Sequence, residues 1–448
     1  MHDLRKQVLL ESGKTQSRKQ RSKQGTPAAS SAGSPTPSRS GSRVPSRNVS
    51  DDESEGSDAS AWGTTSLEDL QHEEDAHTPA DVVIADLYQR IDAICDRKRS
   101  SAEGREIALA GLGVDLQRYV AKVELGRKVE ELVPAIMKSI KAGQTEKETV
   151  QALKALALIL VTAPGEALYT LTARTVQSLI TDSPEPTVKH AAIQAFGTIA
   201  SFFGDAPEDD IEESMDLLLE IISSDGSSID CPDNASIVTA ALQTWGLLAT
   251  KVQDLEDITE VAMEAFTDQL QSSDADVQIA AGEDIAFLFE RSYTEAEEDE
   301  SPPSPGSDSS GRANGDGPHM IQRYTAHRHP ELLISQLEAL AQVSSKRLSK
   351  KSRRALHQTF SDVLATVEKP TRGPRYSKAL DEDGREYGSR LNVSVGGKGG
   401  RSWVVDKWWM YLRLGALRTV LQGGLGVHLE GNEGVRDALE QEFAGTEE

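Results

Sequence analysis

The chain of 448 residues carries 48 Lys and Arg against 72 Asp and Glu, a net charge of −24, and only 5% of its residues are aromatic. Its length admits two or three ordinary domains or one extended repeat array, but its charge excludes a surface that broadly attracts phosphate backbones, so any nucleic-acid contact must come from a local basic patch. Cys95 and Cys231 are too few and too far apart for a disulfide framework or a zinc site, and the polar, basic start and the lack of any apolar run of roughly 18 residues argue against a signal peptide or membrane span, pointing to cytosol or nucleus.

Residues 1 to about 80 are poor in apolar side chains and rich in Ser, Pro, Gly and charge, as in "TPAASSAGSPTPSRSGSRVPSRNVSDDESEGSD". Such a segment cannot bury enough surface to offset its ordering entropy, so it reads as a disordered, low-complexity tail. Its first part is basic and its later part acidic, with Ser50 and Ser54 set among Asp and Glu as compositional phosphorylation targets.

From residue 81 the pattern turns helical. "VKHAAIQAFGTIASFF" from Val188, "IVTAALQTWGLLATKV" from Ile237 and "VQIAAGEDIAFLFERS" from Val277 align without a gap. Ala191 and Ala192 fall on Ala240 and Ala241, then on Ala280 and Ala281; Phe196 falls on Trp245 and Ile285. The alignment extends back to "ETVQALKALALILV" from Glu148 and, more weakly, to "GREIALAGLGV" from Gly104. Starts roughly 40 to 49 residues apart are the period of HEAT and armadillo repeats. A second amphipathic helix precedes each segment, beginning near Val82, Val129, Ala167, Asp210 and Asp254, and a sixth pair follows at His329–Gln342 and Lys350–Glu368. An acidic, Pro-rich insertion at about 294–318 separates the fifth and sixth pairs.

The fold expected is therefore all-α, an armadillo/HEAT-like α-solenoid over 81–368, with small residues letting the second helix of each pair approach its neighbours closely. The thin waist at Ala280, Ala281 and Gly282 follows from that packing. Glycine costs about 1 kcal/mol in a helix, which burial of modest apolar area at about 25 cal/mol per Å² outweighs.

Residues 369–390 read as an exposed linker and 391–448 as a small C-terminal module: a strand-like "LNVSV" with a glycine turn, an apolar helix over Trp403–Gln422, and a last short helix. The module is expected to cap the last repeat. Adjacent Trp408 and Trp409 point different ways on a helix, so Trp408 is assigned to the core and Trp409 to a possible interface.

The motif search excludes most chemistry. "ESGKT" at Glu11 lacks the first glycine and preceding strand of a phosphate loop, and "GGKGG" at Gly396 reads as a flexible turn. "DEDGREYGS" lacks calcium-loop spacing, and His319, His327 and His329 have no neighbouring cysteines. No catalytic residue, cofactor, metal or small-molecule substrate is expected. The one positive feature is Lys346, Arg347, Lys350, Lys351, Arg353 and Arg354, cations unfavourable at a helix start. They either balance the acidic insertion or bind nucleic-acid phosphate or an acidic partner.

With "DVQIAAGEDIAFLFE", "KKSRRALHQTFSDVLATVE" and "VVDKWWMYLRLGALRTVLQGGLGVHLEGNEGVRDALE" in view, the chain resembles the interferon-related developmental regulator family over most of residues 80 to 440. The resemblance implies an armadillo-like array with a small C-terminal domain, no catalytic residues, and a role in regulating gene expression. Members are described both as nuclear co-regulators assembling with corepressor and deacetylase complexes and as ribosome-associated proteins tied to lowered translation. Two readings follow: a scaffold in a chromatin or transcription complex, or a translation regulator touching ribosomal RNA through the 346–354 patch and the C-terminal module.

Overall fold

A computed structural model describes residues 80–202, 206–296, 320–342, 348–380, 386–396 and 400–441. The N-terminal tail and all but the first residues of the insertion lie outside them. The architecture is an α-solenoid built from helix pairs. In chain order these are α1 (Ala80–Cys95) on α2 (Ala102–Arg118), a short α3 (Lys122–Gly126), then α4 (Val129–Ala142) on α5 (Glu146–Thr162) and α6 (Glu166–Asp182) on α7 (Pro186–Ser201). There follow α8 (Glu208–Ser223) on α9 (Ala235–Ala249), α10 (Glu256–Gln269) on α11 (Ala275–Arg291), and α12 (Pro330–Ala341) on α13 (Lys350–Glu368).

Helices α2, α5, α7, α9, α11 and α13 pack side by side as an inner layer, with the first helix of each pair outside. Their starts are written locally. Ser101, Thr145, Asn234, Asp274 and Ser349 each cap an inner helix by accepting from its first-turn N–H groups, and α7 opens on Pro186. The aligned Ala191, Ala192, Ala240, Ala241, Ala280 and Ala281 are all buried. The glycines lie where one inner helix meets the next: a Cβ on Gly197 of α7 would stand 2.8 Å from Thr244 of α9, and one on Gly282 of α11 would stand 2.9 Å from Phe360 of α13.

A buried ion pair ties the first two repeats. Glu148 on α5 accepts from Arg105 Nε at 2.7 Å and Nη2 at 3.0 Å, and from Ser139 Oγ at 2.8 Å. Burial alone raises this carboxyl, but hydrogen bonds from Arg105, Ser139 and the Gln144 N–H outweigh it and hold it at about 2.

At the insertion, β1 (Tyr293–Glu295) pairs antiparallel with β2 (Met320–Gln322), closing its two ends together. The segment read as a linker holds the antiparallel strands β3 (Tyr376–Leu380) and β4 (Glu386–Ser389). Beyond it, β5 (Asn392–Ser394) pairs with β6 (Ser402–Val404), followed by α14 (Trp408–Leu421), a 3₁₀ turn, α15 (Leu425–Gly431) and α16 (Glu433–Glu440). The apolar helix thus starts five residues later than its hydropathy indicates: Trp403 sits on β6 opposite Val393, where β-branched Val404 and Val405 favour a strand.

The C-terminal module touches the last repeat, where Trp408 Nε1 meets Thr366 of α13, but it extends far beyond a cap on that repeat. Helix α14 lies across the inner layer against α5, α9 and α11, and α15 reaches α2 at the far end of the array. Two features of the structure accompany this course. Helix α14 buries Trp408, Trp409, Met410, Leu412, Leu414, Leu417 and Leu421, too wide an arc for contact on one side. The inner helices also end in carbonyls that need donors, and the module supplies them. Arg413 donates to Thr250 O at 2.9 Å, His428 Nε2 to Leu116 O at 2.7 Å and Asn432 Nδ2 to Val161 O at 2.8 Å.

Candidate interaction surfaces

Among the described residues no group of three or more His, Cys, Asp or Glu is placed to hold a metal ion, and no helix is long and apolar enough to cross a membrane. His327 and His329 stack edge to face at 6.5 Å, and Arg328 between them pairs with Glu260. "ESGKT" lies outside the described residues, as do residues 397–399 of the glycine turn.

Of the basic run, Lys346 and Arg347 fall outside the described residues. Lys350, Lys351 and Arg354 are exposed on the first turns of α13, and Arg353 is partly covered. Ser349 caps the helix, its Oγ accepting from Ser352 N at 2.9 Å. No acidic residue occupies that first turn, so cations add to the positive helix end instead of neutralising it. The four described members of the run therefore stand together as one positive corner at the C-terminal end of the array.

Trp409 is buried, 6% exposed, with the Arg413 guanidinium 4.9 Å over its ring, and so is not a partner-facing residue. Adjacent residues do point apart, but α14 is covered on more than one side, which hides both tryptophans. Trp408 is anchored from three directions: its N–H donates to Glu290 Oε1 at 2.9 Å and Oε2 at 3.0 Å, its Nε1 donates to Thr366 Oγ1 at 2.8 Å, and its ring meets Tyr411 edge to face. Glu290 thereby caps a helix more than a hundred residues away in sequence, one that has no side-chain cap of its own.

Helix α14 fills part of the groove along the inner layer. Sequence reasoning missed a surface that the composition does display. Outer helices α8 and α10 pack together, and neither "EDDIEESMDLLLEIIS" nor "EDITEVAMEAFTDQ" contains a Lys or Arg. Their carboxylates are all exposed. The molecule is therefore polar in charge, with an acidic outer flank at mid-array and a basic corner at α13.

A family model described as interferon-related developmental regulator matches residues 48–368. An uncharacterized protein of Schizosaccharomyces pombe is 30% identical over 289 residues, 64% of this chain and 62% of its own length, so the chain spans less than two thirds of that relative. Interferon-related developmental regulator 1 of Sus scrofa is 25% identical over 372 residues, 78% of this chain and 70% of its own. Interferon-related developmental regulator 2 of Mus musculus is 25% identical over 359 residues, with the same two shares.

Proposed function

Because the chain belongs to the interferon-related developmental regulator family, we propose that it is a non-enzymatic helical-repeat scaffold that regulates gene expression by binding other proteins, as a transcriptional co-regulator in a chromatin or corepressor type of complex. The observation that carries this reading is the division of surface charge. An array whose inner layer is committed to its own C-terminal helix has its flanks left for partners, and here those flanks are of opposite sign. Complementary charge steers association and selects partners. The acidic flank of α8 and α10 suits a basic protein segment and the α13 corner an acidic one.

The exposed cations Lys350, Lys351 and Arg354 favour a second reading, a ribosome-binding regulator of translation in which that corner meets ribosomal RNA. Sedimentation of the tagged full chain in cell extract through sucrose gradients separates the two. Recovery with nuclear protein complexes, unaffected by nuclease, supports the scaffold. Comigration with ribosomal subunits that is abolished by reversing Lys350, Lys351, Arg353 and Arg354 to Glu supports the second reading and overturns the first.

A further inference from the structure

Carboxyl groups crowd the place where α14 crosses α11 and α13. Glu283 Oε1 accepts from Tyr411 Oη at 3.1 Å. Asp362 of α13 accepts from Gln358 Nε2 at 3.3 Å and pairs with Arg375 at 3.6 Å. Asp284, next to Glu283, is 0% exposed, and among the described residues no hydrogen bond reaches either of its carboxyl oxygens. It lies against the bare backbone of Gly246 on α9, which Leu412 of α14 also touches. An ionised carboxylate with no donor is strongly disfavoured in such a place, so Asp284 is carried there as the neutral acid.

We propose that the α11–α14 crossing is a proton-dependent joint: α14 docks on protonated Glu283 and Asp284, and a rise in pH loosens it, uncovering the inner layer. The surroundings offer little to hold a second negative charge. Helix α9 contains no charged residue, and the carboxylates of α10 are exposed on the outer face. On α11 itself Glu290 is engaged by the Trp408 N–H, and on β1 Glu295 is exposed. From α13 comes Asp362, another acid, with Arg375 drawn to it; from α14 come Tyr411 and, beyond it, Arg418, whose own charge burial disfavours.

The titration directions agree with the geometry. Glu283 is half-buried as a residue, but burial around its carboxyl pushes it up to about 8, with the Tyr411 hydrogen bond opposing, Asp362 adding and Arg375 opposing. Burial, then the charge of Glu283, raises Asp284 well above the usual carboxylate range. Both acids are weaker in the docked state than in a solvated chain. Docking is therefore firmest below the ordinary glutamate value of 4.5 and weakens as pH climbs from there through about 8. Glu283 alone changes the docking equilibrium by about tenfold per pH unit through most of that window.

The test is hydrogen exchange on the full chain at pH 6 and pH 8, corrected for intrinsic exchange rates, following peptides within 408–421. In the wild type the opening equilibrium of α14 should rise roughly ten- to a hundredfold between the two pH values, while the outer helices α8 and α10 change little. In Glu283→Gln/Asp284→Asn the α14 change should vanish. A pH-independent α14 in the wild type, or an unaltered change in the double variant, overturns the proposal. If the double variant does not fold, Glu283→Gln alone, which still accepts from Tyr411, must reduce the change, with Asp284 carrying what is left; the full wild-type response in that variant overturns it equally.

Discussion

Gly282 on α11 lies directly against the Phe360 ring of α13, where a Cβ would stand 2.9 Å from Cε1. The contact is between two inner helices with no slack, because Phe360 is itself fully buried. Gly282→Leu is therefore expected to overpack the junction and lower stability by roughly 1 to 3 kcal/mol, read as a shift in urea midpoint. Gly126, with nothing within 4 Å of its Cβ position, is the control: Gly126→Ala should be neutral or slightly stabilising.

The cap that Glu290 places on α14 gives a second expectation. Glu290→Ala leaves the Trp408 N–H without its acceptor at the start of a buried helix, and the loss should be about 1 to 2 kcal/mol. Hydrogen exchange should locate the effect in the first turn of α14 and the end of α11. A loss spread evenly over the chain would contradict it.

Removal of Glu148 should be costlier. Glu148→Ala strips Arg105, 3% exposed, of its carboxylate partner and Ser139 of an acceptor. Breaking a buried pair of this kind costs roughly 3 to 5 kcal/mol, so the first two repeats should melt before the rest in a thermal scan. Since the folded-state carboxyl is held at about 2, its contribution in the wild type is present above pH 4.5 and lost as pH falls through 2.

His428 gives an acid limb. Its Nε2 donates to Leu116 O, and its Nδ1 accepts from Asn432 Nδ2 at 3.4 Å, so a second ring proton would break the latter contact. Burial lowers this imidazole, with the Leu116 carbonyl partly opposing. The neutral ring is the folded form, so its stabilisation is full above 6.5 and declines as pH falls below that value. Urea midpoints at pH 7.5 and 5.5 should differ less in His428→Gln than in the wild type.

Much of the array is legible in the sequence, for local reasons. The caps Ser101, Thr145, Asn234, Asp274 and Ser349 and the in-register pairs such as Ala240 and Ala241 are short-range signals, and the helix pairs stand where they indicate. The course of the C-terminal module is not legible, because what directs it is spread across the chain. Nothing near Trp408 announces that its N–H is met by Glu290, nor does anything near Asn432 announce Val161. The burial of Trp409 was hidden for the same reason. A run apolar on every side of the helix, "WWMYLRLGALRTVL", was the available signal that more than one neighbour covers it. The basic corner was legible as composition, and its exposure on α13 followed from the helix boundary at Lys350.

Repeat proteins commonly grow and shrink by whole units, since each unit touches only its neighbours. Here a single helix of 14 residues, about 21 Å long, and the short turns after it must reach from Glu290 near one end to Leu116 near the other. That span acts as a ruler. Duplicating or deleting one helical pair would leave the far anchor out of reach or the crossing slack, so the number of units is fixed by a segment that belongs to none of them.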